Sequence, residues 1–336
     1  MMLLRKISFL AALLISVLSS TAQQWQPDTL GGLFQVRYFD QGTDYSGHVR
    51  SSLVRLKAKH PDCIAALYIH GFNDYFFQTE MAEKFVDHGY AFYAVDLRKY
   101  GRSLLPGQKR CQVRNLKEYF PDIDSAISVI RSDGFDRIVL IGHSTGGLVA
   151  SFYMSHHPEV PVDALVLNSP FLDWNLGRLE CFINPVSALG AVIPGLSFKS
   201  GSGTAYGESL SSDYHGEWQF NRDWKSIEPT IVDLGWVRAI NSAQHYLRKH
   251  KYSIRVPILL MYSSKSINAK DWSPEVNSAD AVLDVKDIRK YGLMLGRNVT
   301  AIAVSGGMHD LVLSAGNIRE PLYDYIFYWL GKEIRQ

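Results

Sequence analysis

Past Gln23 the chain alternates short apolar runs with stretches of helical periodicity. "LFQVRYF" and "VRSSLVRL" have strand character. "CIAALYIHGF", "YAFYAVDL", "RIVLIGHS", "ALVLNSPF", "PILLMYSS" and "VTAIAVSGG" follow as nearly continuous apolar, partly β-branched runs. Continuous apolarity suits parallel strands covered on both faces. Between them, "QTEMAEKFVDHG", "YFPDIDSAISVIRSDG" and "GGLVASFYMSHH" read as helices closed by Gly89, Gly134 and Pro158. Such alternation predicts an α/β fold with a mostly parallel, doubly wound sheet. It lapses between Phe171 and about Leu247, where Trp174, Trp218, Trp224 and Trp236 stand among glycines, serines and short helical patterns. That stretch is too long for a plain loop. It is predicted to be a cap, residues 171–247, inserted between two parts of the sheet domain, 23–170 and 248–336.

The first residues differ in kind. "MMLLRKISFLAALLISVLSSTAQ" has basic Arg5 and Lys6, an apolar stretch from Ile7 to Leu18 and a small-x-small site at Ser20-Thr21-Ala22. This is the pattern of a secretory signal peptide over residues 1–22, and it predicts export to a periplasmic or extracellular space. The apolar stretch is shorter than the ~20 residues a spanning helix needs, so no stable membrane span is expected after its removal. The formal net charge of +2 includes Arg5 and Lys6, which leaves the remainder neutral and gives no reason to expect nucleic acid as a partner. Three cysteines cannot all pair within one chain. Cys63, ahead of an apolar strand, reads as a small core residue. Cys111 and Cys181 lie in loop-like surroundings where a disulfide is one option in an oxidising compartment, left open by the sequence.

The chemistry gathers at the carboxyl ends of the predicted strands, where open α/β sheets bind ligands. "HGF" at 70–72, "DLRKYGRS" at 96–103, "GHSTGG" at 142–147 and "GGMHD" at 306–310 all fall there. Ser144 stands between Gly142 and Gly146 in the order G-x-S-x-G, the pattern of a strained strand-to-helix turn that lifts a serine above the sheet. Glycines at such a junction can also serve packing alone. A histidine just past the last strand, His309, adds a partner in the chain order serine, acid, histidine. For the acid, spacing alone leaves Asp271, Asp280, Asp284 and Asp287 open. "DVKDIRKYG" reads as a helix with Asp284 as N-cap and Asp287 in its first turn.

In "YIHGFNDYFF", "YAVDLRKYGRS", "IGHSTGG", "SADAVLD" and "GGMHD", taken in order, the chain resembles an α/β-hydrolase of the monoacylglycerol lipase and serine aminopeptidase type. The resemblance covers essentially the whole chain past residue 23. It implies an α/β-hydrolase fold with an inserted cap, Ser144 as nucleophile, His309 as general base and Asp280 as the acid that orients it. It also implies an oxyanion hole from the backbone N–H groups of Phe72 and Thr145, with His70 and Gly71 shaping the loop. Asp96, Arg98 and Arg102 resemble a segment whose usual role is structural. A serine at residue 144 excludes the dehalogenase and epoxide-hydrolase branches, whose members place an aspartate there.

No metal-binding or dinucleotide-binding pattern appears, so neither a metal nor another cofactor is expected. His156 and His157 read as a helix C-terminus. The expected function is a secreted serine hydrolase of carboxylic esters, acylglycerol- or lysophospholipid-like, with a small-molecule ester or lipid-like substrate. One alternative is an aminopeptidase of the proline iminopeptidase kind, for which Glu180, Glu208 or Glu217 in the cap would hold a substrate amine. The other is a binding protein that kept the scaffold and lost catalysis. The apolar run "CFINPVSALGAVIPGL", 181–196, is expected to line a pocket mouth or to pack onto the sheet domain.

Overall fold

The computed structural model describes residues 24–57, 63–201 and 203–334. The expected export signal, residues 1–22, lies outside the described residues. In chain order the strands are β1 (Gln26–Pro27), β2 (Phe34–Asp44), β3 (Gly47–Leu56), β4 (Ile64–Ile69), β5 (Ala91–Asp96), β6 (Arg137–His143), β7 (Ala164–Asn168), β8 (Ser197–Lys199), β9 (Ile231–Asp233), β10 (Ile258–Ser263) and β11 (Val299–Val304). The helices are α1 (Thr79–Asp87), α2 (Phe120–Ser132), α3 (Thr145–His156), α4 (Ile183–Val192), α5 (Ala205–Leu210), α6 (Leu234–Lys249), α7 (Val285–Gly292) and α8 (Gly316–Ile334).

Nine strands form one sheet in the order β1-β2-β3-β5-β4-β6-β7-β10-β11. The first three enter antiparallel, and from β5 to β11 every pairing is parallel. β4, β5, β7 and β10 are buried along their whole length and β6 from Ile138 on, which is why they read as nearly unbroken apolar runs. Helices cover both faces, each with its own core. Ile123, Ile127, Leu148, Phe152 and Ile240 pack on one side, and Phe85, Leu322, Ile326 and Trp329 on the other. This is the mostly parallel, doubly wound α/β sheet that the alternation predicts, and it fits the α/β-hydrolase fold that the resemblance implies.

Register puts the loops of interest side by side. Ile69 pairs with Gly142, His143 with Asn168, and Ser263 with Val304, so the turns after β4, β6, β7, β10 and β11 emerge along one edge. Between β7 and β10 the chain makes α4, the β8–β9 ribbon, α5 and a long turn, then returns through α6. Val237, Ala239, Ile240, Ala243 and Leu247 of α6 belong to the core beneath the sheet, against α3. The last helix of the predicted cap is thus part of the sheet's helical layer.

One expectation fails. Cys63 is exposed at the foot of β4, because strand burial begins one residue later at Ile64. Cys111 is buried and Cys181 exposed, and they are not joined. The 181–196 run also departs from simple packing. Ser187 and Gly190 are the residues of α4 that bury, while Phe182, Leu189, Val192, Ile193 and Leu196 stand exposed.

The "DLRKYGRS" segment forms a buried ionic knot. Arg102 donates through Nε and Nη2 to both oxygens of Asp28, at 2.6 and 2.8 Å, and through Nη1 to Asp96 at 2.8 Å. Asp96 in turn accepts from the Phe76 N–H at 2.9 Å. Removing one member strands the others without water. Arg102→Met is therefore expected to lower the unfolding free energy by about 3–5 kcal/mol in a urea titration. A loss within about 0.5 kcal/mol, as at ordinary surface sites, would contradict that account of the knot.

Candidate active site

The turn from β6 into α3 places Ser144 at φ 51°, ψ −117°, a conformation side chains rarely adopt. Close packing holds it there. A Cβ on Gly146 would lie 2.3 Å from the carbonyl oxygens of Ile69 and His70, and one on Gly142 would lie 2.7 Å from the Gly146 carbonyl oxygen. The Ser144 N–H donates to the Asn168 carbonyl at 3.0 Å, and its own carbonyl accepts from Leu148 and Phe171. The glycines therefore let α3 press its first turn against the end of β4.

His309 follows β11 through Gly306, at φ 75°. Its Nε2 is 3.0 Å from Ser144 Oγ, and its Nδ1 is 2.9 Å from Asp280 Oδ2. With Nδ1–H donating to the carboxylate, Nε2 is left to accept the serine hydroxyl proton. The other oxygen of Asp280 accepts from the Val282 and Leu283 N–H groups, each at 2.8 Å. All three side chains are buried.

Of the four carboxylates that spacing left open, the structure brings Asp280 to the histidine. After β10 the chain leaves the sheet and returns at a bridge between Ser266 and Asp280, with the Asp280 N–H donating to the Lys265 carbonyl at 3.0 Å. Asp271 is exposed in the excursion. Asp284 caps α7, accepting from the Lys286 N–H at 2.8 Å, and Asp287 lies in that helix's first turn.

Phe72 and Thr145 flank the serine. Thr145 opens α3, where a first-turn N–H has no partner within the helix. The turn holding Phe72 lies against the elbow, since a Cβ on Gly71 would sit 3.2 Å from Ser144 Cβ. Among the described residues no protein acceptor takes either N–H. His70 is buried with Nδ1–H donating to the Gly71 carbonyl at 2.8 Å and Nε2 accepting from the Leu97 N–H at 3.1 Å. Both ring nitrogens are thereby committed to holding this turn on the end of β5.

Reading the sequence missed a second polar group behind these residues. Asp74 pairs with Lys225 at 2.9 Å, and His143 Nδ1 lies 3.8 Å from Asp74 and 3.7 Å from Asp310. Asp310 also accepts from Asn168 Nδ2 at 2.7 Å. A charge set among aromatics, as Asp74 is in "HGFNDYFF", was the available signal, because a buried carboxylate demands a partner. Beside Phe72 opens a cavity of about 290 Å³ walled by Cys111, Ile231, Val232 and Trp236 together with Lys109, Arg110, Gln112 and Asp233; neither Ser144 nor His309 lines it. Burial pushes the Cys111 thiol up to about 12, so it is an unreactive wall. Among the described residues no group of His, Cys, Asp and Glu could hold a metal ion, and no helix is long and apolar enough to cross a membrane.

A family model described as serine aminopeptidase, S33 (Hydrolase_4) matches residues 62–267, more than half of the chain. The match includes Ser144 and stops ahead of Asp280 and His309. Among solved structures the chain is similar to the monoacylglycerol lipase of Paleococcus ferrophilus, with TM-score 0.62 and 19% identity over 84% of this chain and 99% of that one. It is likewise similar to a soluble variant of the Saccharomyces cerevisiae monoglyceride lipase, with TM-score 0.67 and 15% identity over 93% and 96%. At these identities the likeness is one of fold. Among curated proteins it is 27% identical over 147 residues to phospholipase YtpA of Bacillus subtilis, covering 43% of this chain and 54% of that protein. To mouse epoxide hydrolase 4 it is 28% identical over 109 residues, covering 31% and 28%. The chain thus spans from about a quarter to about half of the length of these two relatives.

The commitment of His70 has a consequence for pH. Burial holds its imidazole below the ordinary 6.5, with Asp96 and Asp74 only partly opposing. The folded state keeps it neutral while the unfolded chain takes up a proton near the ordinary value. Its contribution to stability is therefore complete above that value and is lost as pH falls below it, by up to about 1.4 kcal/mol per pH unit. His70→Gln is expected to lose stability less steeply than the parent between about pH 7 and pH 5. Equal slopes would mean that the imidazole titrates alike folded and unfolded.

Proposed function

The chain belongs to the serine aminopeptidase S33 (Hydrolase_4) family of α/β-hydrolases, and from that premise we propose that it hydrolyses carboxylic esters through Ser144, His309 and Asp280. The observation that carries the reading is the continuous contact from Ser144 Oγ to His309 to Asp280, at 3.0 and 2.9 Å. His309 Nε2 takes the serine proton as Oγ attacks the ester carbonyl carbon, and Asp280 stabilises the imidazolium that forms. The oxyanion is held by the Phe72 and Thr145 N–H groups, donors typically worth ~10²–10³ in rate each. His70 and Gly71 set the position of that loop. Collapse expels the alcohol, which takes the proton from His309, and water then repeats the sequence on the acyl-enzyme.

Acylglycerol- or lysophospholipid-like esters suit the cavity beside Phe72, in which Ile231, Val232 and Trp236 stand beside Lys109 and Arg110. The names of the lipase and phospholipase relatives point the same way. A serine at residue 144 favours ester chemistry over the reaction named for the epoxide hydrolase relatives. The aminopeptidase reading would need a carboxylate free to meet an amine. Glu217 is paired with Arg319 at 3.0 Å, Glu180 accepts from the Leu176 N–H, and Asp74 is occupied by Lys225. Glu208 stands half-buried on α5. The reading further places the enzyme outside the cytoplasm, on the strength of the N-terminal "RKISFLAALLISVLSSTAQ".

A fluorophosphonate probe is expected to label Ser144 in the parent and nothing in Ser144→Ala. Asp280→Asn should stay folded and lose about 10⁴ in kcat on a p-nitrophenyl ester. Asp271→Asn should keep most activity. An active Asp280→Asn beside a dead Asp271→Asn would move the acid into the excursion after β10. Faster turnover of aminoacyl-anilides than of any ester in a graded chain-length series would favour the peptidase instead.

A further inference from the structure

The loop that carries Phe72 is held from the cap side by one short turn. Asn73, Asp74 and Tyr75 each bond to residues 221–226, which belong to the segment between β7 and β10. Asn73 Nδ2 donates to the Ser226 carbonyl at 2.8 Å, and the Ser226 N–H returns a bond to Asn73 Oδ1 at 3.3 Å. Lys225 Nζ donates to Asp74 Oδ1 at 2.9 Å, and the Asn221 N–H donates to the Tyr75 hydroxyl at 2.7 Å. The gripping turn is closed on itself. Lys225 N–H donates to the Asn221 carbonyl at 2.9 Å, while Asn221 Oδ1 accepts from the Asp223 N–H at 2.9 Å.

The ion pair is buried on both sides, with the Lys225 side chain 8% and the Asp74 side chain 1% exposed. The rings of Phe77, Tyr206 and Phe220 stand 5.6, 5.9 and 5.9 Å from the ammonium. Burial alone would raise the Asp74 carboxyl, but the Lys225 ammonium and then His143 outweigh it and hold Asp74 below the usual carboxylate range. A buried pair of this kind costs desolvation at both ends and contributes little net stability, so its effect is mainly on register. The register it sets is that of Asn73, which sits at φ 49° directly after Phe72. The carboxylate's other oxygen faces His143, directly before Ser144.

We propose that Lys225 is a positioning residue for the oxyanion hole: through Asp74 and Asn73 it locks the Phe72 N–H at its distance from Ser144, so the hole is complete only with the cap turn 221–226 seated. The inference rests on the proposed ester hydrolysis and adds to it a residue that sequence order keeps far from every motif. An oxyanion donor acts only when it is in place before charge develops. Displacement by about 1 Å is enough to cost ~10² in rate. A seated cap thereby becomes a condition for turnover as well as for binding.

The test compares the parent with Lys225→Met, Asn73→Ala and Lys225→Arg, using a short p-nitrophenyl ester and an aryl trifluoromethyl ketone that adds to a serine as an oxyanion. Lys225→Met is expected to lose about 10² in kcat with KM nearly unchanged, and to bind the ketone more weakly by a similar factor. Lys225→Arg should recover part of both losses. Asn73→Ala breaks the grip without stranding a charge, and should show the same split even where Lys225→Met does not fold. Parental kcat in the two disrupting variants, a loss confined to KM, or a loss of kcat with unchanged ketone affinity would each overturn the inference. Fluorophosphonate labelling separates the two levels. A parent unlabelled at Ser144 removes the proposed function, whereas a labelled parent matched by Lys225→Met in rate and ketone affinity removes only the role of Lys225.

Discussion

The arrangement depends on keeping Ser144 at a positive φ, a backbone state that costs a non-glycine residue of order 1–3 kcal/mol. Packing makes that state the available one. Gly146 lies against the carbonyls of Ile69 and His70, and Gly142 lies against the first turn of α3, with no room for a side chain at either position. The chain cannot relax the serine without driving the helix off the end of β4. The same contact puts the Phe72 turn within reach of Ser144, because that turn begins where β4 ends. Strain at one residue and the adjacency of two loops are consequences of a single close approach.

Around this approach the protein spends buried charge to fix loops that have no regular secondary structure. Arg102 ties Asp28 and Asp96, and Asp96 holds the Phe76 N–H. Arg98 binds Asp122 at 2.6 Å, and Lys225 binds Asp74 at 2.9 Å. Apolar contacts would bury these loops equally well but would let them slide, since dispersion is not directional. Ion pairs with short hydrogen bonds specify one geometry, and loops at the carboxyl edge of a sheet need that most. The strands beneath are held by their hydrogen-bonded ladders and by the apolar cores on both faces.

The sheet was legible because burial on both faces writes itself as unbroken apolar runs, as in "IAALYI" and "ILLMYS". The elbow was legible because its glycines are adjacent in the chain. The acid was open by spacing because proximity of Asp280 to His309 is set across the β10–β11 edge, and the excursion that returns at Ser266 leaves no periodic trace. The grip of Lys225 on Asp74 joins residues 151 apart, and nothing local marks either as a partner of the other. Cys63 misled for a simpler reason. A residue one position outside a buried strand has the same neighbours in sequence and none of the burial.

The segment between β7 and β10, predicted from sequence to be a cap, meets the rest of the chain through two physically different attachments. Through α6 it is welded: Val237, Ile240 and Ala243 share one core with α3 and the sheet, and moving them would open that core. Through residues 221–226 it is latched: a few hydrogen bonds and one ion pair meet the Asn73–Tyr75 loop. Ahead of both attachments in the chain, α4 turns Leu189 and Val192 outward, with Ile193 exposed just past its end, and buries only its small residues Ser187 and Gly190 where it packs on α6. A close approach at Gly190, where a Cβ would lie 2.3 Å from the Leu234 carbonyl oxygen, keeps that helix flush with its support. The two attachments differ in kind: the latch is a small set of directional polar contacts, and the weld is continuous apolar burial. The latch is also what reaches the Phe72 turn, so the polar attachment, and not the apolar one, is the one that bears on the loop beside Ser144.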